Sequence, residues 1–358
     1  MIGGVLTDLT LHDFRCFRAL DFLPGPGRTF LVGGNAQGKT SLLEAICVLL
    51  RLQSPRTSSA SEMVRMGSSG FALDGHCQGS HLAHRFADGE RSVALDSKPN
   101  PKTDDYLSVS RVAWFANSDL ELVRGGGTGR RRFLDFLGSQ CRPGYRQALR
   151  AYEKSLRSRN ALLKEMRPRR EIAAFDEPLL QAGETLLEAR RSLVEILAPL
   201  AREACCAISG GNDKLALRYR PGCGGGFREA LAESRPEEER LRQTVVGPHR
   251  DDMVMEVNGL AASDFASEGQ QRSIALALKA GQARHLEDVQ GRPPILLLDD
   301  VFGELDPCRR NSLLEMLPGS AQAIITTTFI EWAGNTHNDT VFDLSSGTLT
   351  LRSPRIAP

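Results

Sequence analysis

A glycine-rich segment at residues 33–40 constrains the fold of this chain more than any other feature. It matches the pattern G-x-x-x-x-G-K-[ST] in full and ends in Lys39 and Thr40. An apolar run, 29–32, precedes it and a helical pattern, 41–52, follows, which is the context that the motif requires. Glycines let successive backbone N–H groups surround phosphate oxygens, and the helix adds the positive end of its dipole. The sequence therefore predicts a phosphate loop in an α/β domain; the alternative is a glycine-rich turn before an ordinary helix.

A second apolar segment, 295–298, is followed directly by the carboxylates Asp299 and Asp300. A wholly apolar strand is typical of the buried centre of a parallel sheet. Since ligands of such sheets bind at the carboxyl ends of the strands, we expect Asp299 to hold Mg²⁺ together with the Thr40 hydroxyl. Asp300 is then placed to orient or deprotonate an attacking water. The alternative is a buried strand that ends in a solvated acidic loop.

The predicted site requires ATP and Mg²⁺, with the Lys39 ammonium bridging the β- and γ-phosphates. The candidate ATP-binding residues are Gly33, Gly34, Asn35, Ala36, Gln37, Gly38, Lys39, Thr40 and Ser41. The candidate metal ligands are Thr40 and Asp299, and the candidate catalytic residue is Asp300.

A third segment, residues 267–272, opens the helical pattern that precedes the acidic strand. Ser267 is a favourable N-cap, and Gly269 leaves the first N–H groups of the helix uncovered, which creates a second anion site. One fold has only one phosphate loop to serve. We therefore expect this helix start, with Gln270, to cover the γ-phosphate of ATP held by another protomer; the alternative is a capped surface helix.

The pattern changes to helix between residues 129 and 243, where apolar residues recur at steps of three and four. The simplest division is an ATPase domain, 1–128 with 244–358, interrupted by a helical insertion, 129–243. Asp88-Gly89 and Asn258-Gly259 predict tight hairpin turns. The candidate helices of the insertion are 144–166, 177–207 and 227–242.

The charge balance of 45 basic against 44 acidic residues excludes a positive field over the whole chain. A nucleic acid must therefore bind a local basic face, and the helical insertion contains the best one. With aromatic residues at 6% of the chain, base stacking is disfavoured, so we expect contacts to the DNA backbone. The alternative is a solvated helical face. The candidate DNA-binding residues are Arg157, Arg159, Lys164, Arg167, Arg169 and Arg170.

Other classes of protein are disfavoured by the distribution of residues. The eight cysteines form no C-x-x-C pair and have no zinc-like spacing with histidine, so no metal cluster is predicted. No run of about 18 apolar residues occurs, so no membrane span is expected. The N-terminal segment lacks the pattern of a secretory signal, and the expected location is the cytoplasm.

This set of segments, in this order, resembles the ATP-binding-cassette (ABC) ATPases. Among them it is most similar to the DNA-repair and chromosome-organising branch, which includes the SMC heads and the RecF family of bacterial recombination mediators. The segments that carry the resemblance are 11–15, 33–40, 43–46, 130–135, 159–164, 247–252, 267–272 and 299–306.

The resemblance implies an α/β fold in the form of an ABC-type P-loop ATPase head. Such a head has a mixed β core with an antiparallel β region, here joined by an inserted helical second lobe. It also implies that Lys39, Thr40 and Asp299 bind MgATP and that Asp300 takes the position of the catalytic carboxylate. The residues implied to act across a dimer are Ser267, Gly269 and Gln270 as signature contacts, and Asp306 in the loop between the two ATP sites.

The implied function is ATP-dependent homodimerisation on DNA at single-strand gaps and duplex–single-strand junctions, acting with RecO and RecR to load RecA. Transporters of this superfamily have a histidine after the last core strand, whereas this chain has Thr326-Thr327-Thr328. A hydroxyl is a poor proton shuttle near neutral pH, so weak, DNA-dependent ATP hydrolysis is expected. Two alternatives remain open: a nucleotide-gated scaffold with negligible hydrolysis, and another ABC-type ATPase such as a transporter subunit.

Overall fold

The computed structural model describes residues 5–334, 336 and 339–352. The chain divides into a first unit, 1–118 with 282–358, and a second unit, 119–281. The strands are β1 (Leu6–Phe14), β2 (Phe17–Phe22), β3 (Arg28–Val32), β4 (Gly70–Cys77), β5 (Ser80–Ala87), β6 (Glu90–Leu95), β7 (Lys98–Pro99), β8 (Val112–Ala116), β9 (Leu215–Arg220), β10 (Asp252–Val257), β11 (Leu260–Ala261), β12 (Ile295–Asp299), β13 (Ala323–Thr327), β14 (Thr340–Ser345) and β15 (Thr348–Leu351). The α-helices are α1 (Lys39–Arg51), α2 (Thr103–Ser108), α3 (Glu121–Arg124), α4 (Gly127–Cys141), α5 (Tyr145–Lys164), α6 (Arg169–Ala173), α7 (Asp176–Ile208), α8 (Phe227–Glu233), α9 (Arg235–Leu241), α10 (Ala262–Phe265), α11 (Glu268–Gln290) and α12 (Pro307–Met316).

A mainly parallel sheet in the first unit has the strand order β15-β14-β3-β13-β12-β8. Only the pairing of β15 with β14 is antiparallel among the described strands of this sheet. β12 lies between β13 and β8, and its residues 295–298 are buried, as expected for an apolar strand covered on both faces. The predicted central strand is confirmed, and its register places Asp299 beside Thr326 of β13.

An antiparallel sheet in the same unit has the order β2-β1-β4-β5-β6-β7. α1 contacts β1, β4 and β5 of this sheet and also β8, β12 and β13 of the parallel sheet. The helix is therefore buried over most of its length, with Leu42, Leu43 and Ile46 fully buried. This packing fixes the N-terminal end of α1, where the phosphate loop begins it.

The two predicted tight turns are present. Asp88 and Gly89 connect β5 to β6, and Asn258 and Gly259 connect β10 to β11. In both turns the two central residues have positive φ, 53° followed by 83°. This combination gives a two-residue turn whose twist matches that of the flanking strands, which explains the Asp-Gly and Asn-Gly sequences.

The second unit combines the predicted helices with a small antiparallel sheet, β11-β10-β9. It extends beyond the predicted insertion, 129–243, at both ends. The reason is strand pairing: β9 lies within the insertion, but its partner β10 follows it in sequence and pairs with it along its whole length. The segment from β10 to the start of α11 therefore belongs to the helical unit.

The long helices α5 and α7 pack together around Tyr145, Tyr152, Leu179 and Leu186, all buried. The single helix predicted for 227–242 is wrong, since the chain forms α8 and then α9. Pro236 stands in the first turn of α9, where its missing N–H costs nothing, whereas within a continuous helix it would remove a hydrogen bond. No helix in the described part of the chain is long and apolar enough to cross a bilayer.

Candidate nucleotide site

The phosphate loop connects the end of β3 to the start of α1. Gly38 has a φ of 102°, and a Cβ there would lie 2.7 Å from the Phe17 ring and 2.8 Å from the Cys16 sulfur. A Cβ at Gly33 would lie 2.3 Å from a backbone carbonyl oxygen of β14. Close packing on two sides therefore requires glycine at both positions.

The middle of the loop is open to solvent. Ala36 has a φ of 60°, in the left-handed region, and is exposed. The side-chain oxygen of Gln37 accepts a hydrogen bond from the Ser346 backbone N–H at 2.6 Å, which ties the loop to the β14–β15 turn. The structure thus brings the predicted residues 33–41 together at one strand-to-helix junction.

Lys39 occupies the interior of the loop and is only 7% exposed. Its ammonium donates to the carbonyl oxygens of Gly33 at 2.6 Å and Gly34 at 2.7 Å. Burial lowers the pKa of this ammonium, and the charges of Asp300 and Asp299 oppose that shift. Because carbonyl oxygens are neutral, the anionic oxygens of a phosphate would be stronger partners for the same cation.

Asp299 lies at the carboxyl end of β12, as predicted. Its carboxylate accepts hydrogen bonds from the hydroxyls of Thr40 at 2.8 Å and Thr326 at 2.9 Å. Burial raises the pKa of this carboxyl, and the two hydroxyl donors oppose the shift. A carboxylate and a hydroxyl in contact supply the hard oxygen ligands that Mg²⁺ prefers, so the residues fit the ion that the motif implies.

Asp300 follows with its backbone in the left-handed region, at a φ of 53°. Its N–H donates to the Thr326 hydroxyl at 2.9 Å, and the same hydroxyl donates to Asp299. Thr326 therefore holds the turn at which both carboxylates leave the strand. Sequence reasoning treated this threonine only as a poor proton shuttle and missed its contact with the carboxylates, although the pairing of neighbouring strand ends was the available signal.

A buried carboxylate to which the sequence assigned no role lies in α1. Glu44 is fully buried and forms ion pairs with Arg15 at 2.6 Å and Arg56 at 3.0 Å, while the Ser54 hydroxyl donates to it at 2.6 Å. The charge of Arg56 also acts to lower the pKa of Asp299. Two arginines on one carboxylate give this cluster a net positive charge, which suits a phosphate ligand. Sequence reasoning missed Arg56 entirely.

The start of α11, in the second unit, forms a reciprocal capping box. The Ser267 hydroxyl accepts from the Gln270 N–H at 3.3 Å, and the Gln270 carboxamide oxygen accepts from the Ser267 N–H at 2.9 Å. Ser267 thus caps the helix as predicted. Ser267 is exposed and Gly269 is half-buried, so the helix start is open on one side.

Gln270, predicted to contact the nucleotide of another protomer, makes contacts within the chain. Its side-chain nitrogen donates to the Asp213 carboxylate at 2.8 Å, while its oxygen is used by Ser267. Both ends of the carboxamide are engaged within the chain, because the loop after α7 brings a carboxylate to it. Gln270 therefore stabilises the helix start rather than offering a free amide.

Comparisons with known proteins identify the relatives of this chain. Residues 8–106 match a family model described as an AAA domain. The DNA replication and repair protein RecF of Anaeromyxobacter sp. (strain Fw109-5) is 41% identical over 341 residues, 90% of this chain and 92% of that protein. That of Crocosphaera subtropica is 35% identical, over 91% of this chain and 93% of its own length. The chain belongs to the RecF family.

Solved structures confirm the predicted fold of this RecF-family chain. A structure of the recombination mediator protein RecF with ATP, in the RecFOR pathway, matches with a TM-score of 0.88 and 28% identity over 98% of each chain. The Smc head domain of Pyrococcus furiosus matches with a TM-score of 0.55 at 15% identity, which shows a shared fold alone. The chain therefore has the ABC-type head architecture, and its family favours a repair protein over a transporter subunit.

Asp306, predicted in the loop between two ATP sites, is the N-cap of α12 in this RecF-family chain. Its carboxylate accepts from the Arg309 N–H at 3.0 Å and forms an ion pair with the Arg309 guanidinium at 2.5 Å. The backbone hydrogen bond from Arg309 lowers the pKa of Asp306, so the carboxylate is held charged at the helix start. The side chain remains partly exposed.

Arg159 cannot belong to the DNA-binding face, and this part of the prediction is wrong. Its side chain is 0% exposed. The guanidinium forms ion pairs with Glu238 at 2.7 Å and Asp176 at 2.9 Å and donates to the Thr244 hydroxyl at 2.8 Å. The residue faces inward from α5, where burial without such partners would be costly, so it is a structural cation of the second unit.

The other basic candidates are accessible. Arg167 forms an ion pair with Glu171 at 2.9 Å and Arg169 one with Asp176 at 3.0 Å, and these local carboxylates reduce the positive potential of the face. Both pairs are partly solvated, so a DNA phosphate could replace the carboxylates. The exposed members of the set are Arg157, Lys164, Arg167 and Arg170, with Arg169 half-buried.

The segment 247–252, which is one of the segments that resemble the RecF family, has a structural role in this chain. Asp251 is fully buried and accepts from Arg190 at 2.8 Å and from the Tyr219 hydroxyl at 2.5 Å. Arg190 also binds Asp135 at 2.8 Å. These charges connect α4 and α7 to the segment before β10, inside the second unit.

Proposed function

We propose that this chain is an ATP-dependent DNA-binding protein of recombinational repair that acts in the cytoplasm. In this proposal ATP binding closes a homodimer at gapped DNA or at a duplex–single-strand junction, and the dimer acts with RecO and RecR to help load RecA. The observation that carries the proposal is the grouping of three residues at the phosphate loop: Lys39 donates to the Gly33 carbonyl inside the loop, and the Thr40 hydroxyl donates to the Asp299 carboxylate. The RecF relatives support the repair pathway.

The nucleotide chemistry follows from the contacts of three residues. Lys39 exchanges two carbonyl partners for the β- and γ-phosphates. Thr40 and Asp299 would hold Mg²⁺, which when bound would offset part of the phosphate charge. Asp300 lies directly after Asp299 and would orient the attacking water. The left-handed turn at Asp300, fixed by Thr326, sets the direction of that carboxylate.

Dimerisation is proposed to complete each nucleotide site. The capped start of α11 presents Ser267 and the backbone of Gly269, which can accept the γ-phosphate of ATP bound to the other protomer. Asp306 then lies in the loop between the two sites. The ATP-dependent interface is thus expected to contain a helix start from one protomer and a phosphate loop from its partner.

The experiment that tests this proposal is the mass in solution with and without MgATP, measured by light scattering over a range of protein concentrations. A dimer that forms only with ATP supports the proposal, and hydrolysis per protomer should then rise with concentration. Ser267→Arg should bind ATP normally but remain monomeric. A wild-type chain that stays monomeric with MgATP and duplex at high concentration would overturn it.

DNA binding is proposed to use the accessible basic residues of α5 and the segment after it. The contacts position the duplex through its phosphates, so affinity should fall steeply with salt. The triple change of Arg167, Arg169 and Arg170 to Ala should lower ATP-dependent DNA affinity at least about tenfold and reduce the salt dependence. The placement is wrong if affinity is unchanged in this variant.

One observation favours a second candidate, a nucleotide-gated scaffold with negligible hydrolysis. The strand end beside Asp299 holds Thr326, whose hydroxyl is already used by two groups and does not supply a proton shuttle. Single-turnover hydrolysis by wild type and by Asp300→Asn separates the two candidates. Equal rates identify the scaffold, and a slower variant identifies a weak ATPase.

A further inference from the structure

A buried carboxylate supports the start of α11 from the opposite side of its capping box. Asp213 lies in the loop between α7 and β9 and is 5% exposed. Its carboxylate accepts a hydrogen bond from the Gln270 side-chain nitrogen at 2.8 Å. Its backbone N–H donates to the Ser209 hydroxyl at 3.0 Å, so the loop that carries this carboxylate is anchored to the end of the long helix α7.

The hydrogen bonds form one continuous chain. Asp213 accepts from the nitrogen of Gln270, and the oxygen of Gln270 accepts from the Ser267 N–H. The first bond determines which way the carboxamide faces: with its nitrogen toward Asp213, only its oxygen is available to Ser267. A negative charge at position 213 therefore sets the orientation of the residue that closes the capping box.

A carboxylate buried with a neutral partner is costly, so a purely structural role would be served better by an apolar residue. The charge is instead placed beside the helix start, where it holds the carboxamide whose oxygen accepts from the Ser267 N–H. Because a charge-assisted hydrogen bond is stronger and more directional than a neutral one, it restricts the motion of the carboxamide.

We propose that Asp213 is a positioning residue for the composite nucleotide site: it orients Gln270, which in turn holds Ser267 and the N–H groups of the helix start in the conformation that receives the γ-phosphate of the partner's ATP. The inference rests on the proposed ATP-dependent dimer. It gives a role in that dimer to a residue outside the segment 267–272. Asp213 touches no nucleotide. Its effect is therefore on closure of the dimer and not on nucleotide binding by one protomer.

A charge-exchange pair tests the orientation directly. Gln270→Glu places two carboxylates against each other, and we expect ATP-dependent dimerisation to fall at least about tenfold, with ATP affinity of the monomer unchanged. Adding Asp213→Asn to that variant restores a donor facing a carboxylate and should recover most of the dimerisation. Asp264→Ala removes an exposed carboxylate on the neighbouring α10 and serves as the matched control, with no expected effect.

Mixing two defective variants separates positioning from a general folding defect. Asp213→Ala keeps an intact phosphate loop, whereas Lys39→Ala keeps an intact helix start. In a mixed dimer, one composite site combines the intact parts of both, so the mixture should hydrolyse ATP faster than either variant alone. Asp213→Ala mixed with Ser267→Arg should show no such gain, since both lack the helix start.

Three outcomes would overturn the inference while leaving the proposed dimer in place. They are full ATP-dependent dimerisation of Asp213→Ala, no recovery in the double variant, or no gain in the mixture with Lys39→Ala. Failure of the wild type itself to dimerise with MgATP would instead overturn the proposed function. Circular dichroism and the unfolding midpoint of each variant show whether it is folded before its dimerisation is scored.

Discussion

The nucleotide site of the first unit and the buried polar cluster of the second unit use similar side chains to opposite effect. Lys39 donates to two neutral carbonyl oxygens of its own loop. Arg190 donates to the carboxylates of Asp135 and Asp251 and to a backbone carbonyl. The lysine therefore retains affinity for an anion, whereas the arginine is neutralised within the fold.

A ligand-binding cation can be distinguished from a structural cation by the charge of its partners. Both side chains are buried. Lys39 lies in the phosphate loop, and Arg190 forms an ion pair with Asp251 of the segment 247–252. The deciding property is the charge of their partners: neutral partners can be replaced by phosphate at little cost, and charged partners cannot. Arg159 has charged partners and is therefore a structural cation, although it lies in a basic segment of the sequence.

The largest effect is expected from breaking the structural cluster. Arg190→Met leaves the buried Asp251 and the half-buried Asp135 without their cation, so the free energy of unfolding should fall by about 3–5 kcal/mol. Chemical denaturation measures the change. Arg191→Met, at an exposed neighbour with a distant carboxylate partner, is the control and should cost little. An unchanged midpoint for Arg190→Met would contradict the structural role.

The next effect is on the nucleotide site. Lys39→Ala removes a cation whose direct hydrogen-bond partners are neutral carbonyl oxygens, so ATP affinity should fall by about 100-fold or more while stability changes little. Titration with a fluorescent ATP analogue and thermal unfolding measure the two quantities. Lys98→Ala, at an exposed lysine of the same unit, should change neither. A large loss of stability in Lys39→Ala would show that this lysine is a structural cation, as Arg190 is.

A smaller effect tests the threonine that holds the two carboxylates. Thr326→Val keeps the shape but removes one donor to Asp299 and the acceptor for the Asp300 N–H, so hydrolysis at saturating MgATP should fall about tenfold. Thr328→Val, at the exposed threonine two residues later, is the matched control. Equal rates for these two variants would show that Thr326 does not position the carboxylates.

The smallest effect is a pH dependence of the second unit. Burial lowers the pKa of His249 to about 4 from an ordinary value of 6.5. Between these values the unfolded chain binds more protons than the folded one, so stability should fall as pH falls, by about 1 kcal/mol between pH 7.5 and 5.5. His249→Gln should remove this contribution, whereas His12→Gln, at an exposed histidine, should keep it. An identical pH profile for His249→Gln would contradict the burial argument.

Much of the nucleotide site could be predicted because its signals are local. The strand–loop–helix pattern around Lys39 and the apolar strand before Asp299 each depend on neighbouring residues in sequence. The contacts of Thr326 and Arg56 could not be found in this way, since each depends on a side chain from a distant segment. The same reason explains Asp213, which meets Gln270 across 57 positions.

Local sequence was sufficient to predict four features, because backbone conformation there is set by residues a few positions apart. They are the phosphate loop, the central strand with its two carboxylates, the tight turns and the capped start of α11. Which charged side chains are available to a ligand depends on the packing of distant segments and could not be predicted in this way. Arg159 and Arg169 lie in one basic segment, yet one is buried against carboxylates and the other reaches solvent. Burial and the identity of partners depend on how distant segments pack, and for charged groups these two properties set the cost of every interaction.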